Sequence, residues 1–171
     1  MQDQPTLFIF GTAAGTCRQI DVLISGSITE GWQTYTVATP NVARIVAPDH
    51  LFAQPGNHWI SDYEQPPLDV FPFGTMLVAP CTFNTFNKLA HGIADNLATS
   101  MLADALGAAC PIFIAPSMNP GLWRHPQTRE SYQRLTSWGC SIIDPHISDT
   151  RVIMAPIADI LSRLREHFAR H

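Results

Sequence analysis

Residues 76–97 read MLVAPCTFNTFNKLAHGIADNL. The apolar run Met76-Leu77-Val78-Ala79 stops at Pro80, a polar turn with Thr82, Asn84 and Thr85 follows, and then a long helical pattern begins. An unbroken apolar run of this length is a strand buried on both faces. An uncharged, hydrogen-bonding turn between such a strand and a helix N-terminus is where parallel α/β sheets bind small ligands. A second unit of the same kind, PIFIAPSMNPGLWRHP at residues 111–126, carries Asn119 in its turn.

Outward from this unit the chain alternates. Strands are expected at residues 6–10, 34–38, 75–79, 112–115 and 141–143. Helices are expected at 17–30, in a short stretch capped by Asn41, at 85–106, at 120–138, and in a last one opened by Pro156. Residues 47–73, rich in proline and scattered aromatics, read as a long irregular segment. Alternating strands and helices indicate a parallel sheet covered on both sides. Right-handed crossovers then bring every strand-to-helix turn to one edge. The turns at residues 11–16, 39–41, 80–85 and 116–119 are therefore expected to converge. The whole chain, 1–171, reads as one α/β domain.

Composition narrows the partners. Apolar residues make up 46% of the chain and charged ones only 14%, well below the usual quarter. Either much of the surface is covered by self-association, or it is simply polar and uncharged. A net charge of −4 with one lysine, Lys88, and scattered arginines argues against an electrostatic nucleic-acid surface. No basic run favours anionic lipid, and no apolar stretch reaches membrane-spanning length. The N-terminus lacks a basic signal-peptide region. Cys17, Cys81, Cys110 and Cys140 lie far apart with no C-x-x-C pair, so the expected setting is cytoplasmic with reduced thiols.

The chemistry of the turns is graded. Gly11-Thr-Ala-Ala-Gly-Thr16 offers close backbone approach and the hydroxyls of Thr12 and Thr16, with helix amides behind them: either a phosphate cradle or an empty turn. It is neither G-x-G-x-x-G nor a Walker loop, and no acid follows the second strand to hold a ribose. Thr39 is either a ring or phosphate contact or a turn residue. Asn84 carries both donor and acceptor, which suits a flavin edge, a carboxylate or an amide, or else caps its helix; Asn119 is open in the same way. Met118 suits a flat ring or the core. Lys88 and Asp95, seven apart on one helical face, either pair or lie in solvent. His50 and His58 in the long segment, His91 and His125 include no metal-ligand spacing, so no metal is expected.

These residues resemble the homo-oligomeric flavin-containing cysteine decarboxylases, which include phosphopantothenoylcysteine decarboxylases and the peptidyl-cysteine decarboxylases of lantibiotic biosynthesis. The family's P-A-S-A-N-T turn is similar to Pro80-Cys81-Thr82-Phe83-Asn84-Thr85. Its G-[IL]-A-D-[ND]-L segment is matched by Gly92-Ile93-Ala94-Asp95-Asn96-Leu97, and its P-x-M-N turn by Pro116-Ser117-Met118-Asn119, with Trp123 at the family's spacing. The resemblance implies a flavodoxin-like, Rossmann-like three-layer fold, FMN bound between subunits, and a homotrimer or dodecamer. It puts the FMN phosphate at Gly11, Thr12, Ala13 and Thr16, and the isoalloxazine near Thr39, Pro80, Thr82, Phe83, Asn84, Thr85 and Met118. Asn84 and Asn119 become catalytic residues, with Asn119 facing a substrate carboxylate. The substrate is a small molecule or peptide bearing a thiol and a carboxylate.

The departures are equally specific. The family's catalytic histidine falls at Pro66 here, so His58, or else His50, is the residue left to supply a base through a shifted loop. The family's substrate clamp falls at PHISDTRVIM, residues 145–154, which has neither its cysteine nor its glycines. The expected activity is oxidative decarboxylation of a cysteine-containing substrate. A flavin prenyltransferase-like or other FMN-using transferase, and a non-catalytic flavin-binding regulatory subunit, are the alternatives.

Overall fold

The computed structural model describes residues 4–169. Its centre is a six-stranded, fully parallel sheet: β1 (Thr6–Gly11), β2 (Gln33–Ala38), β3 (Asn57–Ile60), β4 (Thr75–Cys81), β5 (Ile112–Pro116) and β6 (Ser141–Ile142), in spatial order β3-β2-β1-β4-β5-β6. The apolar runs do what two-sided burial requires. Leu7, Ile9, Leu77, Ala79, Phe113 and Ala115 face one layer. Phe8, Phe10, Met76, Val78, Ile112 and Ile114 face the other. Each fully buried Leu, Ile, Val, Phe or Met among them contributes about 1.5–3 kcal/mol of transfer free energy.

The first layer is α1 (Ile20–Thr29), the short α2 (Pro48–Phe52) and α7 (Ile157–Phe168). The second is α3 (Phe83–His91), α4 (Leu97–Gly107) and α6 (Pro126–Ser137), with the single turn α5 (Pro120–Trp123) leading into α6. The expected three-layer α/β architecture is therefore present. The strand order reverses direction between β1 and β4: one side runs outward through β2, the other through β5. The loops leaving those two strands diverge and open a crevice at the carboxyl edge.

The structure differs from the sequence expectations in five places. The helix expected at 85–106 is two helices. Gly92 takes a left-handed conformation (φ 67°), and the amides of Gly92 and Ile93 return to the carbonyls of Leu89 and Lys88, which is a Schellman stop. Asn96 and Thr99 then form a capping box that starts α4. The helix expected at 120–138 is likewise two, because Pro126 opens α6 behind His125, whose Nδ1 accepts the Gln127 amide. The first helix begins as a 3₁₀ turn at Gly15–Gln19. The long segment at 47–73 contains α2 and the edge strand β3, which pairs with β2. A further hairpin, β7 (His146–Ile147) with β8 (Val152–Ile153), follows the sheet.

The connection between α3 and α4 is held by Lys88, whose ammonium meets the Asp95 carboxylate at 2.6 Å. That hydrogen bond keeps the Asp95 carboxyl below its ordinary range. A depressed carboxyl stabilises the fold above its unfolded value, and the contribution is lost as pH falls through the folded value. Urea midpoints measured across pH are expected to show Asp95→Asn destabilised at neutral pH, with the gap to the native chain closing in acid. A gap that persists unchanged in strong acid would contradict this linkage.

Candidate functional site

The crevice is built on one buried hydroxyl. Thr12, directly after β1, donates its hydroxyl to the Pro80 carbonyl at 2.6 Å and accepts the Thr82 amide at 3.0 Å. The loop leaving β1 is thereby tied to the loop leaving β4. Thr82, fixed in this way, is the N-cap of α3, its side chain accepting the Thr85 amide. The cap role open to Asn84 is thus taken by Thr82. Asn119 in turn precedes α5 without making a side-chain capping bond. Both carboxamides remain available to a ligand.

Neighbouring cavities flank this turn. The larger, of about 700 Å³, is lined by the 13–16 turn, Thr82, Phe83, Asn84, Ser117, Met118, Asn119 and residues 150–153, which end in β8. The smaller, of about 370 Å³, contains Thr39, Pro40, Thr85, Lys88, Asp95 and Asn96. Ala13, Thr82 and Asn84 line both, so Asn84 stands at the junction. In the larger cavity Thr16 donates to the Ser117 hydroxyl at 3.0 Å, joining the β1 and β5 turns. His125 packs edge-on against Phe83, with centroids 5.5 Å apart.

Of the residues expected at the site, Thr16, Phe83, Met118 and Asn119 meet in the larger cavity, Thr39 and Thr85 in the smaller, and Ala13, Thr82 and Asn84 in both. Gly11, Thr12 and Pro80 lie behind the lining. A side chain on Gly11 would come within 2.7 Å of Ile20, so this glycine serves helix packing. His58 is not brought in: it is exposed on β3, stacked on Tyr35 at 5.0 Å. His50 is exposed on α2. Cys81, beside the site, is fully buried, and burial pushes its thiol up, which disfavours a thiolate there.

The lining residues Thr150, Arg151, Val152 and Ile153 fall within residues 145–154, where the resemblance puts the family's substrate clamp, but no hairpin is expected there from the sequence. Their hairpin is hooked over the cavity by the Met118 amide, which donates to the Val152 carbonyl at 3.1 Å. The signal available was Ser148-Asp149-Thr150-Arg151, a turn-forming tetrapeptide between the β-branched runs at 147 and 152–153.

The residue set fits a flavin mononucleotide in size and chemistry. Hydroxyls and backbone amides at 15–16 and Ser117 suit a phosphate. The uncommitted Asn84 amide, flanked by Thr82, Thr85 and Thr39, suits the alternating donors and acceptors of an isoalloxazine edge, and Phe83 and Met118 supply apolar contact. No cluster of three metal-ligating side chains occurs among the described residues. Among the same residues no helix is long and apolar enough to cross a membrane.

The family model described as Flavoprotein matches residues 3–169. A cysteine/cysteine sulfinic acid decarboxylase from an unknown prokaryotic organism is 48% identical over 69 residues, covering 40% of this chain and 18% of that protein. This chain spans well under two thirds of the length of such curated relatives. Among solved structures, a PPC decarboxylase mutant complexed with pantothenoylaminoethenethiol superposes with a TM-score of 0.82 at 21% identity, covering 97% of this chain and 99% of the other. The FMN-dependent cysteine decarboxylase SpaF gives 0.75 at 26% identity, covering 95% and 97%. The fold is thus the flavodoxin-like one expected from the sequence.

Thr12→Val keeps the shape of the side chain and removes both hydrogen bonds that tie the two loops. It is expected to cost about 1–3 kcal/mol, the penalty of a buried unpaired amide, read as a lower urea midpoint at unchanged slope. A variant as stable as the native chain would show that the tie is dispensable.

Proposed function

The chain belongs to the Flavoprotein family, and from that membership we propose that it binds FMN across the paired cavities and oxidatively decarboxylates a small molecule or peptide bearing a thiol and a carboxylate. The observation that carries this reading is the junction at Asn84. Its amide lies between a cavity rich in hydroxyl and amide donors and a second, narrower one, and the fold gives it no internal partner among the described residues. SpaF, the FMN-dependent relative by structure, supports the cofactor, and the cysteine/cysteine sulfinic acid decarboxylase supports the substrate class.

In this reading Thr16 and Ser117 hold the phosphate, and Thr39, Thr82, Asn84 and Thr85 orient the ring edge. FMN held there would supply a two-electron oxidant for the substrate thiol, taking a hydride from the carbon as the sulfur loses its proton and leaving a thioaldehyde. The neighbouring carboxylate then leaves as CO₂, its bonding electrons passing toward the thiocarbonyl. Asn119 holds that carboxylate through its amide N–H groups without a counter-charge. This suits a group whose charge must disperse in the transition state. Phe83, Met118 and the hairpin at Val152 exclude water.

Neither cavity is lined by a histidine. We therefore propose that His58, exposed on the edge strand β3, acts in the cavity of a neighbouring copy within a homotrimer or dodecamer. The same absence favours, as a second reading, a flavin-binding subunit without turnover.

The purified protein mixed with FMN is expected to show flavin bands after gel filtration; a colourless protein removes the cofactor. CO₂ release from cysteine-ending peptides and phosphopantothenoylcysteine then separates the two readings. Asn119→Ala and His58→Ala are each expected to lose about 10²-fold or more. Co-assembled, the two variants are expected to regain activity, because one intact site forms from complementary copies. Full activity in both His58→Ala and His50→Ala removes the histidine role. Flavin bands without turnover on any thiol substrate support the regulatory reading.

A further inference from the structure

The hairpin that closes the larger cavity brings one charge into it. Met118 and Val152 form an antiparallel bridge, and the backbone at Asn119 is extended (φ −65°, ψ 149°). One step along that register sets Arg151 opposite Asn119, and both residues line the cavity. Directly opposed residues on antiparallel strands have their Cβ atoms about 5 Å apart. The main chain of Arg151 is fixed by Ser148, whose amide donates to the Arg151 carbonyl at 2.8 Å and whose hydroxyl accepts the Arg151 amide at 3.1 Å. Among the described residues the guanidinium makes no ion pair, and Arg151 is the one charged side chain lining this cavity.

A guanidinium placed against the departing carboxylate would stabilise the ground state more than the transition state, because the charge leaves that group as CO₂ forms. Its planar fork instead suits an oxyanion that stays charged throughout. We propose that Arg151 holds a second, retained oxyanion of the substrate, beside the carboxylate taken by Asn119. Arg151 is then a specificity residue, and the substrate class narrows to compact thiols carrying two anionic groups. The inference rests on the decarboxylase reading for the role of Asn119, but the anion pair itself is measurable without FMN.

Calorimetric titration compares mercaptosuccinate, a thiol with two carboxylates, against 3-mercaptopropionate, a thiol with one, on the native protein, Arg151→Met and Arg151→Lys at fixed ionic strength. The native protein is expected to prefer mercaptosuccinate by about tenfold or more, the scale of a charge-assisted hydrogen bond. Arg151→Met is expected to bring the ratio to near one, and Arg151→Lys to restore part of it. A general loss of structure would weaken both ligands together and leave the ratio in place. A ratio near one in the native protein, a ratio that survives Arg151→Met, or no heat from either thiol overturns the proposal. A protein that takes up no FMN yet keeps the native ratio removes the cofactor reading and leaves the anion pair standing.

Discussion

The site depends on the double hydrogen bond of Thr12. In a parallel sheet whose order reverses between β1 and β4, the loops leaving those strands turn away from each other, and nothing in the sheet ladder fixes their separation. A single buried hydroxyl, donating to one peptide group of the β4 loop and accepting from another, sets it. Three consequences follow along the chain. Thr82 is fixed as the cap of α3, Asn84 is relieved of capping, and the two cavities meet at its amide. The carboxamide of Asn84 is thus left free by a structural hydroxyl on the loop leaving β1.

The cavities differ in electrostatic character. The larger has no acidic lining residue and takes its charge from Arg151 on the hairpin. The smaller holds the Lys88–Asp95 pair, which is internally neutralised and spans the break between α3 and α4. On the proposed reading this division matches the chemistry. An anionic substrate occupies the side with the unpaired guanidinium, and the uncharged edge of a ring system occupies the side lined by threonines.

Much of the fold was legible because burial on both faces of a parallel strand leaves an unmistakable apolar run. The strands at Thr6, Thr75 and Ile112 were read to within two residues at either end. The carboxyl-edge site followed from topology alone. β3 was not legible. Its Asn57-His58-Trp59-Ile60 lies among prolines at a sheet edge, where one exposed side breaks the pattern. The split between α3 and α4 was written in the sequence as Gly92 followed by Asn96 and Thr99, a stop and a start read instead as interior positions because the apolar period continues across them. The hairpin at Val152 was missed because strands of two residues carry no period, and its position over the cavity depends on a bridge to Met118, thirty-four residues away in the chain. His58 shows the limit of reading one chain: the residue type was right for a base, but its strand lies on the far side of β2 from the crevice.

The account turns on the two cavities forming one binding site joined at Asn84. A crystal structure of the protein soaked with FMN tests this most directly. The account predicts the phosphate against Thr16 and Ser117, and the ring edge on the Asn84 amide with its plane crossing from the larger cavity into the smaller. FMN density elsewhere on the protein, or a phosphate at Lys88 with Asn84 untouched, would contradict it.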